Sequence, residues 1–137
     1  MNLEKFEIAE NMLSGEIPPA LFGLPRLTSL SLANNHLSGK IGRLVRNMGS
    51  DWSKEGERKR KYVQLDNNNL DGRIPDDLGE VEDLYLVTLH GNFFQGEMPE
   101  AICELEVASS GSSFALHKFT SDCDNVDCSC TEACQCL

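Results

Sequence analysis

No stretch of this 137-residue chain stays apolar for the roughly 18 residues that a membrane-spanning helix requires, so none is read as a span. Basic charge is scarce: 12 Lys and Arg stand against 22 Asp and Glu, for a net charge of −10. Such a surface repels phosphate backbones, which argues against nucleic acid as a partner. The opening residues, MNLEKFEIAE, contain neither a basic nor an apolar signal region. No P-loop, G-x-G-x-x-G, H-E-x-x-H or kinase motif occurs, so the expectation is no cofactor, no metal and no enzymatic activity. N-x-S/T sequons are also missing although Asn is abundant, which weighs slightly against an extracellular setting.

What is present is a repeat. LDNNNLDGRIP, residues 65–75, shifted by 24 residues lands on LHGNFFQGEMP, residues 89–99. Upstream the same frame meets LANNHLSGKIG at 32–42 and IAENMLSGEIP at 8–18. Asn11, Asn35, Asn68 and Asn92 fall in one column. The pairs Phe6/Ile8, Leu30/Leu32, Val63/Leu65 and Val87/Leu89 have period 2 and predict short strands with one buried face. The Asn column is expected to turn the chain and to satisfy backbone groups of neighbouring coils as a ladder. Leu13, Leu37, Leu70 and Phe94 refill the core, and Gly15, Gly39, Gly72 and Gly96 suit a tight bend. One coil cannot bury its own apolar face, so coils must stack.

This pattern resembles the plant-type leucine-rich repeat, LxxLxLxxNxLxGxIPxxLxxL, over about residues 3–105. The resemblance implies an α/β repeat fold: a right-handed solenoid with a short parallel concave sheet and a 3₁₀ or irregular convex side. It also implies a secreted or receptor-like protein, extracellular or at the cell surface, with a protein, peptide or polysaccharide partner. Plant-type arrays usually start with a cap, whereas this chain is already in register at Leu3, so an N-terminal continuation of the array is expected.

The spacing breaks twice. Asn35 to Asn68 is 33 residues rather than 24, and the extra length falls at 43–61, with Gly42 in the Pro column and Arg60 in a Leu column. That stretch carries seven of the twelve basic residues, only three acids, and the single Trp. It reads either as a solvated loop with Trp52 lying on the core, or as a docking loop that uses Trp52, Arg58 and Lys59. The second break follows Met98-Pro99, where ASSGSS at 108–113 reads as a flexible linker. The division is therefore repeats at 1–107 and a linker with a capping coil at 108–137.

Six cysteines, Cys103, Cys123, Cys128, Cys130, Cys134 and Cys136, allow 15 pairings. Three disulfides are expected, as a staple for the terminal coil in an oxidising compartment. A zinc site built from four of the thiolates is the alternative, and would make the protein an intracellular scaffold. The ending SDCDNVDCSCTEACQCL is also similar to the Cys-rich endings of leucine-rich repeat proteins of diatoms and related microalgae.

The frame places Gln64, Thr88 and Thr120 in one concave column and Asp66, His90 and Asp122 in the next, with Asn67 beside them. At about 4.8 Å between strands, His90 should stand between Asp66 and Asp122. These seven residues are the expected ligand-binding set for non-enzymatic recognition. His117 reads as solvated. A structural or adhesive role in a cell wall or matrix is the second reading.

Overall fold

The computed structural model describes residues 2–108, 115–127 and 134–137. Six strands form one parallel sheet, and the first four are those the period-2 pairs predict. They are β1 (Lys5–Glu7), β3 (Ser29–Ser31), β5 (Lys61–Gln64), β7 (Leu84–Thr88), β10 (Lys118–Ser121) and β12 (Cys134–Cys136), in that order. A second ladder runs beside it: β2 (Ser14–Glu16), β4 (His36–Gly39), β6 (Asn69–Gly72) and β8 (Phe93–Phe94), with β9 (Gly96–Glu97) pairing β11 (Val126–Asp127). The sequence reading missed this second ladder. It treated those residues as core refill and bend, but stacked coils in register also bring these backbones into parallel pairing. The bend glycine of one coil lies opposite the apolar residue of the next, as in Gly15 with Leu37, Gly39 with Leu70, Gly72 with Phe94 and Gly96 with Val126. Each coil returns along the convex side through a short helical segment. These are α1 (Pro19–Phe22), a 3₁₀ turn at Arg43–Asn47, α2 (Ser50–Lys54), a 3₁₀ turn at Asp76–Glu80 and α3 (Glu100–Ala108). The architecture is a leucine-rich repeat solenoid of the expected kind.

The asparagine ladder carries the stack. Asn68 Nδ2 donates to Leu32 O (2.9 Å) and Leu65 O (3.1 Å), and its Oδ1 accepts from Leu37 N (3.0 Å). Asn35 and Asn92 repeat the pattern against Ile8, Leu32 and Leu13, and against Leu65, Leu89 and Leu70. One buried amide thus satisfies two carbonyls and an N–H from two coils, which no apolar residue could do. Asn11 is exposed and bonds only within its own turn, to Ile8 O and Ala9 O. The ladder stops at Asn92, because Asp124, in the next position of the column, is exposed. A carboxylate has no N–H to give to the two carbonyls.

The insertion folds back on the coil before it. Gly49 N donates to Leu24 O and Asp51 N to Pro25 O. Trp52 is buried, its Nε1 donates to Arg26 O (3.0 Å), and its ring lies under the Arg26 guanidinium at 3.9 Å and near the Lys59 ammonium at 4.9 Å. A docking anchor needs an open face, so Trp52 is instead the plug that fastens the loop to the core. Arg58 pairs with Asp83, and Lys59 also lies 3.8 Å from Glu57. Arg43 and Arg46 both reach the buried Asp77, each at 3.5 Å. The basic segment therefore spends much of its charge on the acids of its own coil and of the next one.

Arg60 does not occupy the Leu column. β5 is one residue short between its first and third inward positions, so its pairing with β7 shifts between Lys61 and Tyr62, and Lys61 stands opposite Leu84. Lys61 is 0 % exposed, and its ammonium has no hydrogen-bond partner among the described residues. Its methylenes pack over Gly49, whose φ of +65° and contact with Leu27 O leave no room for a Cβ. Burial pushes the Lys61 amine below its ordinary 10.5, against the opposing pull of Asp83 and Glu82.

The terminal coil is held by a Cys123–Cys136 disulfide, and Cys103 is also disulfide-bonded. With three of six cysteines oxidised, too few thiolates remain for a four-sulfur zinc site. Cys128, Cys130 and nearly all of the expected linker at 108–113 lie outside the described residues.

Two outcomes test this account. Asn68→Ala should cost about 2–4 kcal/mol in urea unfolding, because it strands two carbonyls and an N–H, while Asn11→Ala should cost well under half of that. Lys61→Met should add about 1–2 kcal/mol near neutral pH. Between the lowered native value and 10.5 the unfolded chain binds more protons, so wild-type stability rises with pH there. The advantage of Lys61→Met should consequently shrink through that window and vanish above it.

Candidate functional site

The pleat presents Tyr62, Gln64 and Asp66 from β5 and its exit to one face, with Leu86, Thr88 and His90 from β7 and Lys118, Thr120 and Asp122 from β10. The inward residues Val63, Val87 and Phe119 are fully buried and fix this alternation. After each strand the chain passes through a left-handed residue: Glu10 (φ +59°), Asn34 (+57°), Asn67 (+55°) and Gly91 (+71°). The three asparagines of the LDNNN stretch thus differ in role. Asn67 adopts the left-handed turn that Asn tolerates, Asn68 builds the ladder, and Asn69 is an exposed residue at the start of β6.

Five of the expected residues meet. Thr88 Oγ1 donates to Asp66 Oδ1 (2.5 Å), His90 Nε2 lies 3.7 Å from Asp66 Oδ2, and His90 Nδ1 is 2.7 Å from Thr120 Oγ1. Asn67 Nδ2 donates to the same carboxylate at 3.1 Å. Asp122 does not flank His90 as expected. Its two oxygens accept from the backbone N–H of Gly91 (3.0 Å) and Asn92 (3.1 Å), because the turn after β7 aims two unpaired donors at it. Gln64 is half-buried, and its side-chain amide has no partner among the described residues.

Asp66, His90 and Thr120 have the composition of an acid, a base and a nucleophile. Thr120 is nonetheless 0 % exposed beneath its neighbours, and the two amides that could hold an oxyanion are taken by Asp122. The network positions a half-buried imidazole.

The sequence reading missed a second cluster at the opposite ends of the same strands. Tyr85 stacks on His117, with centroids 5.1 Å apart and planes at 9°, and meets Tyr62 edge-on at 5.6 Å. The Arg60 guanidinium lies 4.3 Å over the Tyr85 ring. The signal was available, because Tyr85 and His117 occupy the same column, seven residues before Asn92 and Asp124.

Asp122→Ala should remove both backbone caps and lower unfolding free energy by about 1–3 kcal/mol, measured by urea titration. Asp122→Asn, which retains acceptor capacity through one oxygen, should recover part of that loss.

The Leucine Rich Repeat family matches residues 2–24, 26–48 and 61–81. Receptor-like protein 41 of Arabidopsis thaliana is 32% identical over 102 residues, covering 74% of this chain and 10% of that protein. Among solved structures, a Pollen Receptor Kinase 3 crystal structure matches with a TM-score of 0.68 at 27% identity, over 98% of this chain and 60% of the other. The plant peptide hormone receptor RGFR1 in complex with RGF2 matches at TM-score 0.52 and 27% identity, over 87% of this chain and 21% of the other. The chain spans about a tenth of the length of the curated relatives it matches. The repeat match and the shared solenoid agree: this chain is a leucine-rich repeat protein, and the proteins it resembles are plant receptor-like proteins.

Proposed function

We propose that the chain is a recognition module of a receptor-like protein at the cell surface, taking an extended peptide or protein segment across its concave face. The observation that carries this reading is the half-buried polar strip Asp66, Thr88 and His90, with Gln64 beside it: Thr120 holds His90, Asp66 holds Thr88, and Asp122 caps the turn that follows β7. A flat row of fixed donors and acceptors about 4.8 Å apart suits an extended backbone. One structural neighbour is itself a peptide hormone receptor in complex with RGF2. Oxidised Cys103, Cys123 and Cys136 support an oxidising compartment. Arg58 and Lys59, already engaged with Asp83, Glu57 and Trp52, contribute nothing to this strip.

Peptides selected for binding by display should lose about tenfold or more in affinity on Asp66→Ala or His90→Ala, with the melting temperature nearly unchanged. Arg43→Ala on the convex side should leave affinity as it was. Selected peptides that bind both concave variants as tightly as the wild type would remove the reading.

A further inference from the structure

We infer that the aromatic corner formed by Tyr62, Tyr85 and His117 is a binding site for the face of a neutral pyranose ring. The inference is independent of the peptide reading, since this corner lies about 16 Å along the strands from His90.

Three features point to a sugar. The first is rigidity. The Arg60 guanidinium covers Tyr85 and the His117 ring stacks on it, so Tyr85 backs the corner and leaves Tyr62 and the exposed His117 ring to meet the sugar; His117 N donates to Tyr85 O at 2.8 Å. The shift between β5 and β7 leaves Tyr85 without a register partner in β5, while it stays in regular register with β10. The second is a mixed surface. Tyr62 meets Tyr85 at 65°, giving an open aromatic angle, and neither phenol hydroxyl has a hydrogen-bond partner among the described residues. Lys118, on the same face, forms no ion pair among the described residues. A pyranose presents C–H groups on its face and hydroxyls around its rim, so it uses both halves of such a surface. An apolar side chain of a protein partner would instead seek an enclosed pocket. An apolar groove of about 370 Å³ lies at the first coil, between Phe6, Leu13, Ile17 and Leu21. The third is long-range charge, because a net charge of −10 opposes the approach of acidic polysaccharides even though Arg60 and Lys118 border the corner.

Saturation-transfer NMR with β-1,4-linked hexasaccharides of glucose, xylose and mannose, at millimolar concentration, tests this. Transfer to ring C–H protons from at least one of them is expected. Tyr62→Ala and His117→Ala should each weaken binding about three- to tenfold. His117 is exposed, so its variant should keep the fold even where Tyr62→Ala does not. Phe93→Ala removes an exposed aromatic from the second ladder, away from the corner, and should change nothing. No transfer from any of the three sugars would overturn the inference. So would equal loss on Phe93→Ala, or capture at the corner of a peptide alone.

Discussion

The molecule depends on a buried primary amide. In each interior coil an asparagine side chain replaces the backbone partners that a sharp turn would otherwise leave unpaired, and it reaches across to the preceding coil to do so. The geometry admits little variation. Moving the asparagine by one residue would leave three backbone groups unsatisfied, and would also carry every strand residue to the opposite face. The register of the concave sheet is therefore set from the turn side as much as by the hydrophobic alternation. The columns that hold Gln64, Thr88 and Thr120, or Asp66 and His90, exist because the ladder keeps successive turns superimposed.

The long gap between Asn35 and Asn68 shows what the ladder tolerates. Extra chain is accepted on the convex side, where it is fastened by Trp52 beneath Arg26 and by ion pairs to Asp77 and Asp83. Its junction with β5 carries the cost, since the strand arrives one residue short and a lysine fills a leucine position. The same shift leaves Tyr85 without a register partner in β5, where it meets Tyr62 edge-on, while His117 stacks on it in regular register. A defect in the repeat thus contributes the Tyr62 side of the aromatic surface on the concave rim.

Repeat columns made the strands, the ladder and the partners of His90 on the Asp66 side legible in the sequence, because each rests on a period that can be counted. Four features were not legible. Asp122 lies in the right column, but it turned to two backbone amides whose direction depends on the left-handed turn at Gly91. Lys61 replaced Arg60 in the core because a one-residue shift cannot be seen when an insertion of unknown shape precedes it. Trp52 could have faced either way, and in the structure it is buried with its N–H donated to the Arg26 carbonyl. β12 was also missed. Its three residues carry no period, and its attachment depends on pairing with β10 and on a disulfide.

That last strand bears on the site as well as on the end of the stack. The final coil lacks the amide ladder, since Asp124 is exposed, and two other devices replace it: Asp122 caps the turn of the preceding coil, and Cys123 binds Cys136 beyond β10. β12 then lies against Thr120 and Ser121, both of which are buried. Thr120 is the residue that holds His90 at its Nδ1, so the imidazole facing Asp66 is positioned by a coil whose own place is secured by sulfur rather than by asparagine. An unsupported edge strand would fray and leave the threonine hydroxyl to exchange partners with water. With the edge closed, the histidine has a single neighbour on each side. A recognition row made of short side chains requires that order if it is to discriminate between ligands.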